Sequence, residues 1–213
     1  MHNILAMKTY DQDELLNELS IQTENILKKT IAEWQFIPHI RFARKPSPGE
    51  WSANECLQHL NSYGRYYLPA IEDALNQLPD STSPAKKTFS PGWLGDYFTR
   101  LMLPGENGKL SKKMKSPKDH APQTIVESHL VISEFIDQQE KLLQLLMLAK
   151  QKNLNKRKVG ISIAPLLKLK VGDVFMFLIA HIVRHTLQAD RALAQVGVLG
   201  NDTQASSINS ATK

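Results

Sequence analysis

From Val174 to Ala192 the chain reads VFMFLIAHIVRHTLQADRA, an apolar segment with two histidines inside it. The segment contains neither proline nor glycine and is too long for an ordinary strand, so its pattern indicates a helix. We predict a buried helix from about Gly172 to Val196. Its longest apolar run is shorter than the roughly 20 residues that a membrane span requires.

Apolar residues also recur at helical spacing in three other long stretches of the chain. They predict helices over Tyr10–Trp34, Trp51–Leu78 and Pro122–Lys150, the last with proline at its first position. Four long helices without alternating strands predict an all-α, antiparallel four-helix bundle with long connections, spanning residues 1–198. Residues 199–213 are polar and rich in Ser, Thr and Asn, and we expect them to be disordered.

Two connections are long. Pro79–Ala121 contains five prolines and a short candidate helix over Leu94–Leu103, and such length is unusual without a functional role. Gln151–Val171 is basic, contains Gly160 and Pro165, and is predicted to be irregular.

The composition is that of a globular protein, with 213 residues, 42% of them apolar and 22% charged. Cys56 is the only cysteine, which excludes an internal disulfide and favours a reducing, cytoplasmic location. The chain lacks a basic start followed by an apolar stretch, so we expect no signal peptide. The net charge of +5 would suit nucleic acid, but the lysines are scattered through the connections, so we do not expect that partner.

The two histidines of the last helix, His181 and His185, are four residues apart and therefore lie on one helical face. The residues on and beside that face are apolar, which predicts that it is turned toward the interior. Two neighbouring imidazoles there cannot both be charged without partners, and a shared metal ion would explain them.

The second helix offers a third ligand. His59 is its only histidine, and it shares a predicted inward stripe with Cys56, Tyr63, Tyr66 and Ala70. Three histidines with open coordination positions are typical of a catalytic metal site. Imidazole suits Zn, Ni, Cu and Fe alike, so the residues leave the metal open.

Other candidates have simpler explanations. Cys56 is more often a small core residue than a ligand, and the spacing of Ser52 and Glu55 predicts a capping box rather than a base. Tyr63 and Gln188 are candidates for orienting a substrate or a bound water. Aromatic core filling is the more common role for a residue such as Tyr63, and Gln188 could equally cap the end of a polar network in the core. Nothing in the sequence argues for the remaining histidines, His2, His39, His120 and His129.

Three stretches resemble the DinB-like superfamily, which includes metal-dependent hydrolases of the YfiT type. They are Trp51-Ser52-x-x-Glu55-x-Leu57-x-His59-Leu60, Lys113-Met114-Lys115-Ser116-Pro117 followed by Pro122, and His181-x-x-Arg184-His185-x-x-Gln188-x-x-Arg191. The resemblance implies a four-helix bundle in which His59, His181 and His185 hold one divalent metal, such as Zn, Ni, Mn or Fe, with water in the open positions. It also implies frequent homodimers and, in members of known chemistry, low-molecular-weight thiols as cosubstrates.

The chain departs from the family pattern at Lys170, where a helix-starting Ser or Thr is usual, and Gly172 and Asp173 are expected to substitute. The leading hypothesis is an enzyme that carries out hydrolysis or thiol transfer on a small molecule. The alternative is a non-catalytic, dimerising metal-binding module of a stress response.

Overall fold

The computed structural model describes residues 8–80, 87–104, 116–123, 126–162 and 164–198. Within them the chain is mostly helical, which confirms the all-α prediction. The helices are α1 (Gln12–Ala32), α2 (His39–Phe42), α3 (Ala53–Asn76), α4 (Trp93–Met102), α5 (Ser128–Ala149) and α6 (Val171–Gln195). Single 3₁₀ turns cover Trp34–Phe36 and Lys118–His120. The predicted tail at 199–213 lies outside the described residues.

Local sequence sets the beginnings of three helices. The Asp11 carboxylate accepts hydrogen bonds from the first-turn amides of α1. At α3 the predicted capping box is present, because Ser52 and Glu55 each bond the other's backbone amide. At α6 the Asp173 carboxylate accepts from the amide of Lys170 at 3.2 Å, as expected for the substitute cap.

The prediction that α5 begins at Pro122 is wrong, since the helix begins at Ser128. Side chains of α3 bond two described residues that precede α5, neither of which is helical. Gln58 accepts from the amide of Gln123 at 2.9 Å, and Asn54 donates to the carbonyl of Val126 at 2.8 Å. These tertiary hydrogen bonds replace the first turns that proline would have favoured.

The four long helices form a ring in which α1 contacts α5 and α6, and α3 contacts the same two. Tyr67 meets Phe177 about two turns beyond the point where His59 meets His185. The residue numbers rise along α3 while they fall along α6, so the two helices are antiparallel. By contrast, Arg65 pairs with Glu134 and Glu72 with Lys141, which shows that α3 and α5 run in the same direction. The antiparallel arrangement predicted from the sequence therefore holds between α3 and α6 but not between α3 and α5.

The prediction that Gln151–Val171 is irregular is wrong, because β3 (Lys158–Ile161) and β4 (Ala164–Lys170) form an antiparallel hairpin there. Val159 and Leu169 face each other in the ladder and are buried, while Lys168 is exposed. A second pair of two-residue strands, β1 (Tyr10–Asp11) and β2 (Thr88–Phe89), ties the start of α1 to the long connection.

The core is apolar and continuous through the ring of helices. Trp34 packs between Phe42 and Phe135, with ring centroids 6.1 and 6.5 Å away. Cys56 is fully buried in this core, in agreement with its prediction as a small core residue. No helix among the described residues combines the length and apolar character needed to cross a bilayer.

Candidate metal centre

The antiparallel contact of α3 with α6 brings the three predicted histidines together. Nε2 of His59 lies 3.2 Å from Nε2 of His181, and the ring centroid of His185 lies 4.6 Å from each of their centroids. One nitrogen from each ring falls within a group whose members are all within 4.8 Å of one another. All three side chains are buried.

Hydrogen bonds fix two of the imidazole tautomers. Nδ1 of His59 lies 2.7 Å from the carbonyl oxygen of His120, and because a carbonyl can only accept, this nitrogen donates. Nδ1 of His185 is bonded in the same way to Oε1 of Gln188 at 3.0 Å. Both rings therefore keep the Nε2 lone pair for the centre of the cluster, as a metal ligand requires.

The donor set fits a divalent metal ion. Two imidazole nitrogens bound tetrahedrally at ordinary zinc–nitrogen distances would lie about 3.3 Å apart, close to the separation of His59 and His181. The rings of Phe177 and Tyr63 hold the His181 ring, with centroids 5.8 and 4.4 Å away. Nδ1 of His181 is buried without a partner among the described residues, so nothing else there orients this ring.

Burial keeps the cluster neutral. Loss of water lowers the pKa of His59 to about 4 and that of His185 to about 3, with a further contribution at His185 from His59 and Arg184. Burial, followed by the neighbouring histidines, also lowers the pKa of His181. Neutral imidazoles are the form that binds metal, so the environment has already removed the protons that would compete.

His120, for which the sequence offered no argument, belongs to the site. Its carbonyl orients His59, and its ring packs against that of Tyr63 in a tilted arrangement, with centroids 3.9 Å apart. Its two ring nitrogens lie 2.9 Å from the hydroxyls of Ser62 and Ser162. The 3₁₀ turn that carries it has no helical periodicity, and its position just after Ser116-Pro117 was the one available signal.

The structure places Tyr63 and Gln188 at the cluster, Tyr63 against His181 and Gln188 bonded to His185. Glu55 is committed to its capping box and to an ion pair with Lys45 at 2.8 Å. The prediction that Tyr66 faces inward is wrong, since it is 39% exposed and the buried Tyr67 takes the inward position.

The cluster opens into a cavity of about 890 Å³. Trp51 forms part of its wall, with its ring 5.0 Å from His59 and 5.8 Å from His185. A metal held by three imidazoles at this wall would keep a position facing the cavity, whereas a structural metal site has a closed set of four protein ligands.

This protein is thus a helical bundle in which histidines from two facing helices could hold one metal ion. The chain belongs to the DinB superfamily, whose family pattern matches residues 23–189 and so includes all three histidines. Neither the comparison with curated proteins nor that with solved structures found a match.

Proposed function

We propose that this protein is a metal-dependent enzyme that carries out hydrolysis or thiol transfer on a small molecule. One observation carries the proposal: three neutral, buried imidazoles converge at the wall of a cavity large enough for a small-molecule substrate. A divalent metal held there would lower the pKa of a bound water or thiol and so supply a nucleophile at neutral pH.

The protein's own residues would prepare the site in two ways. His120 and Gln188 hold the Nδ1 protons of His59 and His185, and this keeps the lone pairs directed at one point. Burial raises the pKa of the Tyr63 hydroxyl, so Tyr63 stays a neutral phenol that can donate a hydrogen bond to a substrate oxygen. We assign Tyr63 and Gln188 these orienting roles.

The first experiment is elemental analysis of protein purified without an affinity tag, beside the His181→Ala variant. About one equivalent of transition metal should be present and should be lost in the variant. His129→Ala is the matched control, because His129 is an exposed histidine on α5 and should leave the metal content unchanged. Protein that neither contains a metal nor takes one up on titration would refute the proposal.

The second experiment tests whether a coordination position is open. Cobalt-substituted protein titrated with a small thiol should develop a thiolate-to-cobalt charge-transfer band. If the spectrum stays unchanged with thiols, and the metal only raises the melting temperature, the alternative of a non-catalytic metal-binding module is favoured.

We also propose a homodimer in the cytoplasm. The family resemblance motivates the homodimer. The buried, unpaired Cys56 is compatible with the reducing environment of the cytoplasm. Analytical ultracentrifugation at micromolar concentration should give about twice the mass of the chain, and a single species of monomer mass would exclude the dimer.

A further inference from the structure

The cavity is elongated along α6. Its lining residues on that helix run from Phe177 through His181, His185 and Gln188 to Gln195. At 1.5 Å per residue, this stretch covers about 27 Å. The histidine cluster therefore lies part of the way along the cavity, and the cavity continues beyond it in both directions.

The two ends differ in character. We call the end near Phe177 the apolar end, where the Tyr67 and Phe98 rings lie 6.0 and 6.2 Å from the ring of Phe177. Aliphatic side chains from α4, β3 and β4 complete its wall: Leu101, Met102, Ile161 and Leu169.

Among the described residues, the side-chain hydroxyls of Tyr67 and Ser162 at the apolar end already have hydrogen-bond partners. The Tyr67 hydroxyl accepts a hydrogen bond from the amide of Ser162 at 3.1 Å, and the Ser162 hydroxyl is bonded to His120. In the part of the chain that the structure describes, the charged lining residues lie level with or beyond His185, toward the opposite end: Glu50, Glu55, Arg184 and Arg191. A polar substrate group at the apolar end would lose its water without gaining a partner, which is costly.

We propose that the apolar end binds the hydrophobic chain or ring of an amphipathic small molecule, whose polar, reactive group then lies at the histidine cluster. The position of the reactive group rests on the proposed function, whereas binding of the hydrophobic group does not. The elements α4, β3 and β4 supply this wall, so they would set how large a hydrophobic group is accepted.

The test uses two ligand series of increasing straight-chain length, from acetyl through butyryl and hexanoyl to octanoyl. Primary amides are titrated into metal-free protein, and hydroxamates, which chelate metals, into metal-loaded protein. Transfer of each methylene into an apolar site should tighten binding about fourfold until the chain fills the apolar end. Isothermal titration calorimetry measures the dissociation constants.

Leu101→Trp should fill the apolar end and abolish the gain in affinity with chain length. Leu103→Trp is the matched control, because Leu103 is 45% exposed on the same helix end and does not line the cavity. Circular dichroism melting establishes that both variants fold, and the chain-length dependence of the unaltered protein tests the proposal independently of them.

The dependence of affinity on alkyl-chain length supports or overturns the inference. The inference is overturned if affinity for the amides does not rise with the length of their alkyl chain. It is also overturned if affinity rises equally in Leu101→Trp and Leu103→Trp, because the alkyl chain would then bind outside the apolar end. If longer amides bind more tightly but hydroxamates bind no better than amides of the same length, the result supports binding at the apolar end and contradicts the proposed metal site.

Discussion

Nε2 of His59 and Nε2 of His181 lie 3.2 Å apart, although 122 residues separate them in the chain. Two neutral imidazole nitrogens directed at the same point in a buried space are suited to bind a metal cation.

Replacing any single histidine of the cluster with alanine should abolish stoichiometric metal binding, since two remaining imidazoles form a weak site. His59→Ala, His181→Ala and His185→Ala should each lose the metal on dialysis. Competition with a chromogenic chelator measures the affinity. A variant that retains one equivalent at wild-type affinity would remove its histidine from the ligand set.

The metal-free protein should lose stability as pH falls below about 6.5. The folded-state pKa values of His59 and His185 are about 4 and 3, below the unfolded value, so the unfolded chain takes up protons first. At pH 5 the loss should be on the order of 1–2 kcal/mol per histidine, recovered by pH 7.5. Urea titrations at the two pH values measure it.

His185→Leu should flatten that pH dependence, because it removes one of the buried groups that resists protonation. His129→Ala should not, since this side chain is exposed. If the free energy of unfolding varies equally with pH in the unaltered protein, His185→Leu and His129→Ala, other groups control the stability in acid.

Removing the His120 side chain should weaken metal binding about tenfold, within the range typical of groups that orient ligands. The His120→Ala variant keeps the backbone carbonyl that bonds His59. It loses the hydrogen bonds by which the His120 ring is attached to Ser62 and Ser162. His39→Ala is a suitable comparison, as His39 bonds Ser128 away from the cluster. Unchanged affinity in His120→Ala would limit its role to packing.

Glu55→Ala should lower the free energy of unfolding by about 1 kcal/mol through loss of the capping box. Metal affinity should stay within a factor of two, because Glu55 is not part of the histidine group. Urea denaturation and chelator competition provide the two readouts. A large loss of metal with little loss of stability would point to a direct role at the site.

Much of the site could be predicted because helical spacing is a local property. The separation of His181 and His185 by four residues places them on one face whatever else the chain does. The capping box of Ser52 and Glu55 likewise needs only four consecutive residues. The β3–β4 hairpin was missed, although its Leu-Lys-Leu-Lys alternation over 167–170 is a strand signal.

Other features have no local signal. The start of α5 is set by Gln58 and Asn54, which hold the preceding segment against α3. The role of His120 depends on its backbone carbonyl, which bonds His59 across 61 residues of sequence. Every residue has the same carbonyl, so the sequence offered no signal for this bond beyond the nearby Ser116-Pro117.

The four long helices, most of their buried positions and the three histidines were predictable from the sequence, because periodicity and capping act within a few residues of the chain. The folded molecule was needed to show that α3 and α5 run in parallel, that His120 orients His59 and that the cavity has an apolar end. These properties arise from packing between elements that are far apart in sequence, where distance and direction depend on the whole fold.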